Sequence, residues 1–420
     1  METKHIARRD FFKTAGISSL AVMGAGMIKP ETAGAIDMAE PMKITKIEAV
    51  RKRGMSMWVR IYTDKGIVGL GETYGRNESS IGSLRDFSRQ LLNRDPRDIE
   101  RIWRDMYGTA SFTVTGGAEM RIISAVNMAL WDILGKALEV PVYRLLGGKA
   151  QQKVRVYSTC TAMPSAHKDW TMEKDTEKIT EFFLDQGVKA LKIYPYENFG
   201  SGWNPGTYIS PVQLEKGLDW IKRIRKTAGK EMDIGIDTMC AWNLPCAVKI
   251  AHSLEPYDIM FIEDMLLPDN AQSYTVLARE TTIPLLQSER SATRYGYREM
   301  LEAKAVDIAM LDVAWCGGLS EAKKISDLAD TYYIPTSIHT CCSGPINWNA
   351  SIHAATTMTN FFIMESNWYY VHDEWPNFAN DVPKIVNGYV TVPETPGLGV
   401  ELREDIFRDG TATIVPIAEV

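Results

Sequence analysis

Five carboxylates and one histidine recur through the second half of this 420-residue chain at nearly constant intervals: Asp237, Glu263, Glu289, Asp312, His339 and Glu365, 23 to 27 residues apart. Each closes a short apolar run. Asp237, Glu263 and Glu289 form an all-oxygen, triply negative set suited to one hard divalent cation such as Mg²⁺, which leaves positions for water or substrate oxygens. Any one of them alone would more often be a helix cap or a solvated strand end. Three at regular spacing, each after an apolar run, reverse that preference.

Asp312 and His339 fall one unit apart in the same series, and an Asp behind a His fixes its tautomer and raises its basicity. Together they read as a general base. Taken singly, His339 would be a structural histidine and Asp312 a cap of the helix that starts near Gly317-Gly318-Leu319. Lys192 ends an earlier apolar run and can hold a substrate carboxylate and stabilise an enediolate together with the cation. Its plainer reading is a snorkelling surface lysine. Glu365 is expected to be protonated by its anionic neighbours and to donate a hydrogen bond to the same oxyanion.

Residues so far apart act together only if the fold converges them. From Lys153 on, apolar runs at 154–157, 190–193, 233–237, 259–263, 284–289, 307–312, 335–339 and 361–365 alternate with amphipathic helices, which predicts βαβ units and a parallel sheet. Eight strands close a TIM-type (β/α) barrel, whose C-terminal strand ends open on one face. The expected catalytic barrel spans 151–368. Before it, 42–71 alternates as a strand–turn–strand meander and 79–148 turns helical, so 42–150 reads as an α+β capping domain. The Pro-, Asn- and Gly-rich tail 369–420 is expected to return to that domain. Loops 51–57 and 107–117 would form a lid.

Residues 1–35 read as a twin-arginine signal peptide: Arg8-Arg9-Asp10-Phe11-Phe12 precedes an uncharged stretch and the small-residue site Ala33-Gly34-Ala35. Folded export to the periplasm through the twin-arginine machinery follows as an expectation. No later stretch has the roughly 18–20 apolar residues of a membrane span. A net charge of -6, with no Lys/Arg-rich run, argues against a nucleic-acid partner. The six cysteines, at 160, 240, 246, 316, 341 and 342, have no metal-binding spacing and read as packing residues.

With these residues in place the chain resembles the mandelate racemase branch of the enolase superfamily. Ala129-Leu130-Trp131-Asp132 through Gly147-Gly148 is similar to that family's capping-domain helix, and Pro396-Gly397-Leu398-Gly399 to its C-terminal return. The resemblance implies Mg²⁺ on Asp237, Glu263 and Glu289, a His339–Asp312 dyad, an electrophilic Glu365, and Lys192 as the first lysine of a Lys-x-Lys strand. Tyr194 stands where the second lysine would be, and Met239 replaces a residue that is often polar. A racemase needs a base on each face of the substrate carbon, whereas a dehydratase can use one His for both proton transfers.

Stretches like Cys316-Gly317-Gly318-Leu319-Ser320-Glu321-Ala322 resemble members grouped with acid-sugar and hydroxyproline dehydratases. The expected function is therefore dehydration of a sugar acid to a 2-keto-3-deoxy acid. Epimerisation, racemisation or cycloisomerisation, with Tyr194 or Lys192 on the opposite face, and hydroxyproline-type dehydration are the alternatives on the same scaffold. An exported ligand-binding protein is more remote. Barrels of this kind commonly associate, so a homo-oligomer is expected.

Overall fold

The computed structural model describes residues 40–52, 56–74, 78–108, 116–197, 206–287, 289–340 and 343–420. The expected signal peptide, and the centres of both expected lid loops, lie outside these residues.

The chain opens with three antiparallel strands, β1 (Ile44–Lys52), β2 (Ser56–Thr63) and β3 (Val68–Tyr74), followed by α1 (Glu78–Leu91), α2 (Ile99–Tyr107) and α3 (Gly117–Ala137). Ile47, Ala49, Val59, Ile61 and the inner faces of the helices form one buried core. The contact between α3 and β3 depends on two glycines. A Cβ on Gly69 would come 2.2 Å from the Ala129 carbonyl oxygen, and one on Gly71 1.8 Å from that of Ala125. Only bare backbone lets the helix lie this close to the strand.

After the short α4 (Val142–Leu145) come eight parallel strands: β4 (Val154–Thr159), β5 (Ala190–Ile193), β6 (Asp233–Asp237), β7 (Phe261–Glu263), β8 (Leu285–Gln287), β9 (Ile308–Leu311), β10 (Thr336–Ile338) and β11 (Phe361–Ser366). Between them run α5 (Met172–Asp185), α6 (Pro211–Ala228), α7 (Leu244–Leu254), α8 (Ala271–Glu280), α9 (Thr293–Glu302), α10 (Leu319–Asp330) and α11 (Pro345–Thr357). Pairing of β11 with β4 closes the barrel, Glu365 lying opposite Tyr157. Tyr157, Phe261, Leu286, Ile308, Met310 and Ile363 plug its interior. The eight apolar runs of the sequence are these eight strands.

The tail divides between the two parts. β12 (Ala379–Asn380) pairs with β14 (Glu401–Leu402), and β13 (Tyr389–Val390) adds antiparallel to β4 of the barrel. After α12 (Asp405–Arg408), β15 (Ala412–Glu419) joins the capping sheet beside β1. The expectation that the whole tail returns to the capping domain is thus corrected: Tyr389 and Val390 find their backbone partners on Arg155 and Val154. No described helix is long and apolar enough to cross a membrane.

Candidate active site

The strand register brings the ionisable groups to one end of the barrel. Lys192 is the third residue of β5, Asp237 ends β6 and Glu263 ends β7, with Asp237 and Glu263 paired across the ladder. Asp312 and His339 each follow their strand by one residue, and Glu365 lies within β11. β8 stops at Gln287, so Glu289 stands in the turn beyond it rather than on the expected strand. Asp237, Glu263, Asp312, Glu365, Lys192, His339 and Glu289 are all buried.

Lys192 is the centre of this charge cluster. Its Nζ lies 2.8 Å from Glu263 Oε2, 2.9 Å from Glu365 Oε1 and 3.3 Å from Asp237 Oδ2. Burial opposes the ammonium charge, but Glu263 and Glu365 outweigh it and hold Lys192 well above the usual lysine range. The carboxylates divide. Burial, with repulsion from Asp237, Glu289 and Glu365, pushes Glu263 well up despite Lys192, and burial also raises Asp237. Glu365 goes the other way: burial opposes its charge, yet Lys192, His339 and Thr159 hold it down at about 2.

The donors around Glu365 run against the expectation that it is protonated. The Thr159 hydroxyl and the Thr340 N–H (3.1 Å) both donate to its carboxylate, and His339 Nε2 lies 3.3 Å from Oε2. With the ammonium as well, donors surround Glu365 and keep it an ionised acceptor. His339 lies between two carboxylates, since its Nδ1 is 2.7 Å from Asp312 Oδ2. Burial disfavours the imidazolium, but Glu365, Glu289 and Asp312 together hold its pKa well above 6.5.

Several groups of the site were not legible from the sequence spacing. Asn347 Nδ2 (3.1 Å) and the Ala314 N–H (2.7 Å) both donate to Asp312 Oδ1. Arg290 Nε donates to Asp264 Oδ2 at 2.9 Å, so the residues following Glu263 and Glu289 are tied to each other. Trp315 tilts over His339 with ring centroids 5.3 Å apart, and the Arg121 guanidinium of α3 lies 4.4 Å above the Trp315 ring. The capping domain grips this segment: Trp103 Nε1 donates to the Gly317 carbonyl and the Gly317 N–H to Ser124 Oγ, each at 2.9 Å. An Asp or Glu directly after a strand-end carboxylate, and an Asn in the first turn of the helix after His339, were the available sequence cues.

Tyr194 stands just past β5, its ring 5.7 Å from Lys192 Nζ. It lines a cavity of about 830 Å³ with Cys160, Lys168, Trp170, Trp220 and Tyr369, and none of the other candidate residues borders that space. Cys240, Cys246 and Cys316 are buried free thiols and Cys160 is half-buried and free; Cys341 and Cys342 lie outside the described residues.

Donor chemistry bears on a metal. Among the described residues no three His, Cys, Asp or Glu side chains are grouped as ligands of one ion. Lys192 instead neutralises Asp237 and Glu263 directly. Glu289 Oε2, however, is a buried carboxylate oxygen without a hydrogen-bond partner, which a cation would satisfy. Three hard oxygen donors, two of them raised in pKa by burial, fit Mg²⁺ by type.

Residues 175–406 match the family described as enolase C-terminal domain-like, and residues 32–147 the N-terminal domain of mandelate racemase and muconate lactonizing enzyme. The chain belongs to the enolase superfamily. It is 31% identical over 390 residues to a D-xylonate dehydratase of Haloferax volcanii, covering 89% of this chain and 92% of that one. It is 30% identical over 372 residues to a D-galactonate dehydratase of Ralstonia pickettii, covering 86% and 93%. Among solved structures, an enolase of the mandelate racemase subgroup from Agrobacterium tumefaciens superposes with a TM-score of 0.81 at 34% identity, covering 90% of this chain and 99% of that one. An enolase-superfamily member from Salmonella Typhimurium gives 0.83 at 29%, covering 89% and 100%.

Proposed function

We propose that this enolase-superfamily enzyme dehydrates a sugar acid, removing the proton α to the carboxylate and expelling the β-hydroxyl to give a 2-keto-3-deoxy acid. The observation that carries the reading is the placement of His339, held through Nδ1 by Asp312 and facing the cluster of Lys192 and Glu365 through Nε2. Relatives named as D-xylonate and D-galactonate dehydratases support the substrate class.

With Nδ1–H donated to Asp312, the lone pair of neutral His339 is on Nε2 and takes the α-proton. The protonated ring then returns that proton to the departing β-hydroxyl, so water leaves and the enol tautomerises to the ketone. Lys192 holds the substrate carboxylate and offsets charge in the enediolate, in a buried site where such an interaction is strong. Glu365 accepts from the Lys192 ammonium and lies 3.3 Å from His339 Nε2, where it stabilises the imidazolium once the ring has taken the proton. One Mg²⁺, held by Asp237, Glu263 and Glu289, would act as a Lewis acid on the carboxylate. Residues 1–35 would direct folded export to the periplasm.

A panel of acid sugars, D-xylonate and D-galactonate included, assayed for 2-keto acid formation with Mg²⁺ tests this reading. Turnover of at least one aldonate that is lost in His339→Asn is expected. Epimerisation of the panel without 2-keto acid would overturn it.

A further inference from the structure

Glu72 is a fully buried carboxylate of the capping strand β3, far in sequence from the barrel. Its Oε1 accepts from Trp58 Nε1 at 2.9 Å, and its Oε2 accepts from the backbone N–H of Asn347 at 2.8 Å. Asn347 lies in the first turn of α11, where backbone N–H groups have no partner within the helix and favour a negative charge. A capping-domain carboxylate therefore closes the start of a barrel helix. The approach is tight, because a Cβ on Gly344 would fall 2.1 Å from Glu72 Oε1.

The side chain of the same residue points the other way. Asn347 Nδ2 donates to Asp312 Oδ1 at 3.1 Å and to Ser343 Oγ at 2.8 Å, and Asp312 Oδ2 holds His339 Nδ1. One residue thus carries a capping-domain contact on its backbone and a contact to the dyad on its side chain, all buried. Thr73, beside Glu72, donates to the Ala314 carbonyl at 3.1 Å, and the Ala314 N–H is the other donor to Asp312 Oδ1. Both donors on that oxygen are therefore held from β3.

We propose that Glu72 and Asn347 are positioning residues for the Asp312–His339 dyad, so that the capping domain sets the orientation of the barrel's base through the start of α11. The proposal rests on the reading of His339 as the base. Rotating Asp312 by losing a donor on Oδ1 leaves His339 in a mixture of orientations and tautomers, and residues of this kind typically carry a 10- to 100-fold effect. Substrate binding through Lys192 is not touched by the change.

The test uses the full-length Mg²⁺-supplied enzyme with its best aldonate, and compares Asn347→Ala, the isosteric Asn347→Asp and Glu72→Gln with Asn349→Ala. Asn349 is equally buried on α11, but its side-chain Nδ2 donates to the Leu398 and Gly399 carbonyls, away from Asp312. The first three variants should lose about 10- to 100-fold in kcat, with α-proton exchange in deuterated water falling in parallel and KM within about threefold. Asn349→Ala should lose thermal stability and keep its kcat. Wild-type kcat and exchange in folded Asn347→Asp or Glu72→Gln, or an equal kcat loss in Asn349→Ala, would overturn the proposal. If His339→Asn kept exchange, the base assignment itself would fall, which the His339 variant alone decides.

Discussion

His339 Nδ1 lies 2.7 Å from Asp312 Oδ2, both groups buried; burial disfavours the ring's proton, and Glu365, Glu289 and then Asp312 outweigh it. A ring held well above pH 6.5 must lose its proton before it can act as a base. kcat/KM is therefore expected to rise with pH, about tenfold per unit, until the ring is neutral. Replacing Asp312 by Asn removes a negative charge, which lowers the ring's pKa and moves the acid limb to lower pH. The same change frees the tautomer and lowers kcat. A pH–rate profile whose acid limb stays in place in Asp312→Asn would disconnect the dyad from the limb.

The barrel and the series of strand-end groups were legible because both follow from spacing. Runs ending at Asp237, Glu263, Asp312, His339 and Glu365 recur once per βα unit, and that period survives in the sequence whatever the side chains do. The ionisation of Glu365 was not legible. It depends on Thr159, Lys192, His339 and Thr340, which come from three strands or strand ends, β4, β5 and the end of β10, and have no periodic relation to it. Glu72 and Asn347 were hidden for the same reason, since 275 residues separate a contact of 2.8 Å. The destination of Tyr389 was missed because a two-residue strand has too few positions to show an alternation.

Metal dependence should show as loss of turnover on dialysis against EDTA and recovery with Mg²⁺. Glu263→Gln and Glu289→Gln are expected to weaken Mg²⁺ binding, each by removing one of three anionic donors, while His339→Asn leaves it intact. Calorimetric titration with Mg²⁺ distinguishes the two groups of variants. Full activity of the metal-free protein would remove the ion from the reading.

Glu72 is expected to give the fold its own pH dependence. Burial raises it from 4.5 to about 7, against the N–H donors of Asn347 and Trp58, the Ser56 hydroxyl and the charge of Lys52. A carboxyl group raised in the folded state favours folding most below its unfolded pKa, and this contribution is lost as pH rises through about 7. The loss between the two values is about 3 kcal/mol, at roughly 1.4 kcal/mol per unit. Urea unfolding from pH 5 to 8 should show this slope in the wild type and a flatter one in Glu72→Gln. Equal slopes would place the pH dependence elsewhere.

Export is expected to require the arginine pair. A full-length Arg8→Lys, Arg9→Lys double variant should remain in the cytoplasm, folded and active once supplied with Mg²⁺. Fractionation followed by immunoblotting reads the outcome, and normal periplasmic recovery of the variant would refute the twin-arginine reading.

The assignment of a single base turns on Lys192 and Tyr194. Lys192 is bound to Glu263, Glu365 and Asp237 and held as an ammonium, so it serves charge and not proton abstraction. A tyrosine hydroxyl of ordinary pKa near 10 would need about 4 kcal/mol of help to act as a base at neutral pH. Of these three groups, His339 is the one suited to cycle between base and acid. In deuterated water with Mg²⁺ and an active aldonate, His339→Asn is expected to lose both dehydration and α-proton exchange, by about 10²- to 10⁴-fold. Lys192→Met should lose both as well, and it should also destabilise the fold by about 3–5 kcal/mol, because three buried carboxylates lose their shared cation. Tyr194→Phe keeps the ring beside Lys192 and should retain exchange. If Tyr194→Phe abolished exchange while His339→Asn kept it, the base would lie on the opposite face, and a reaction needing two faces would replace dehydration by one histidine.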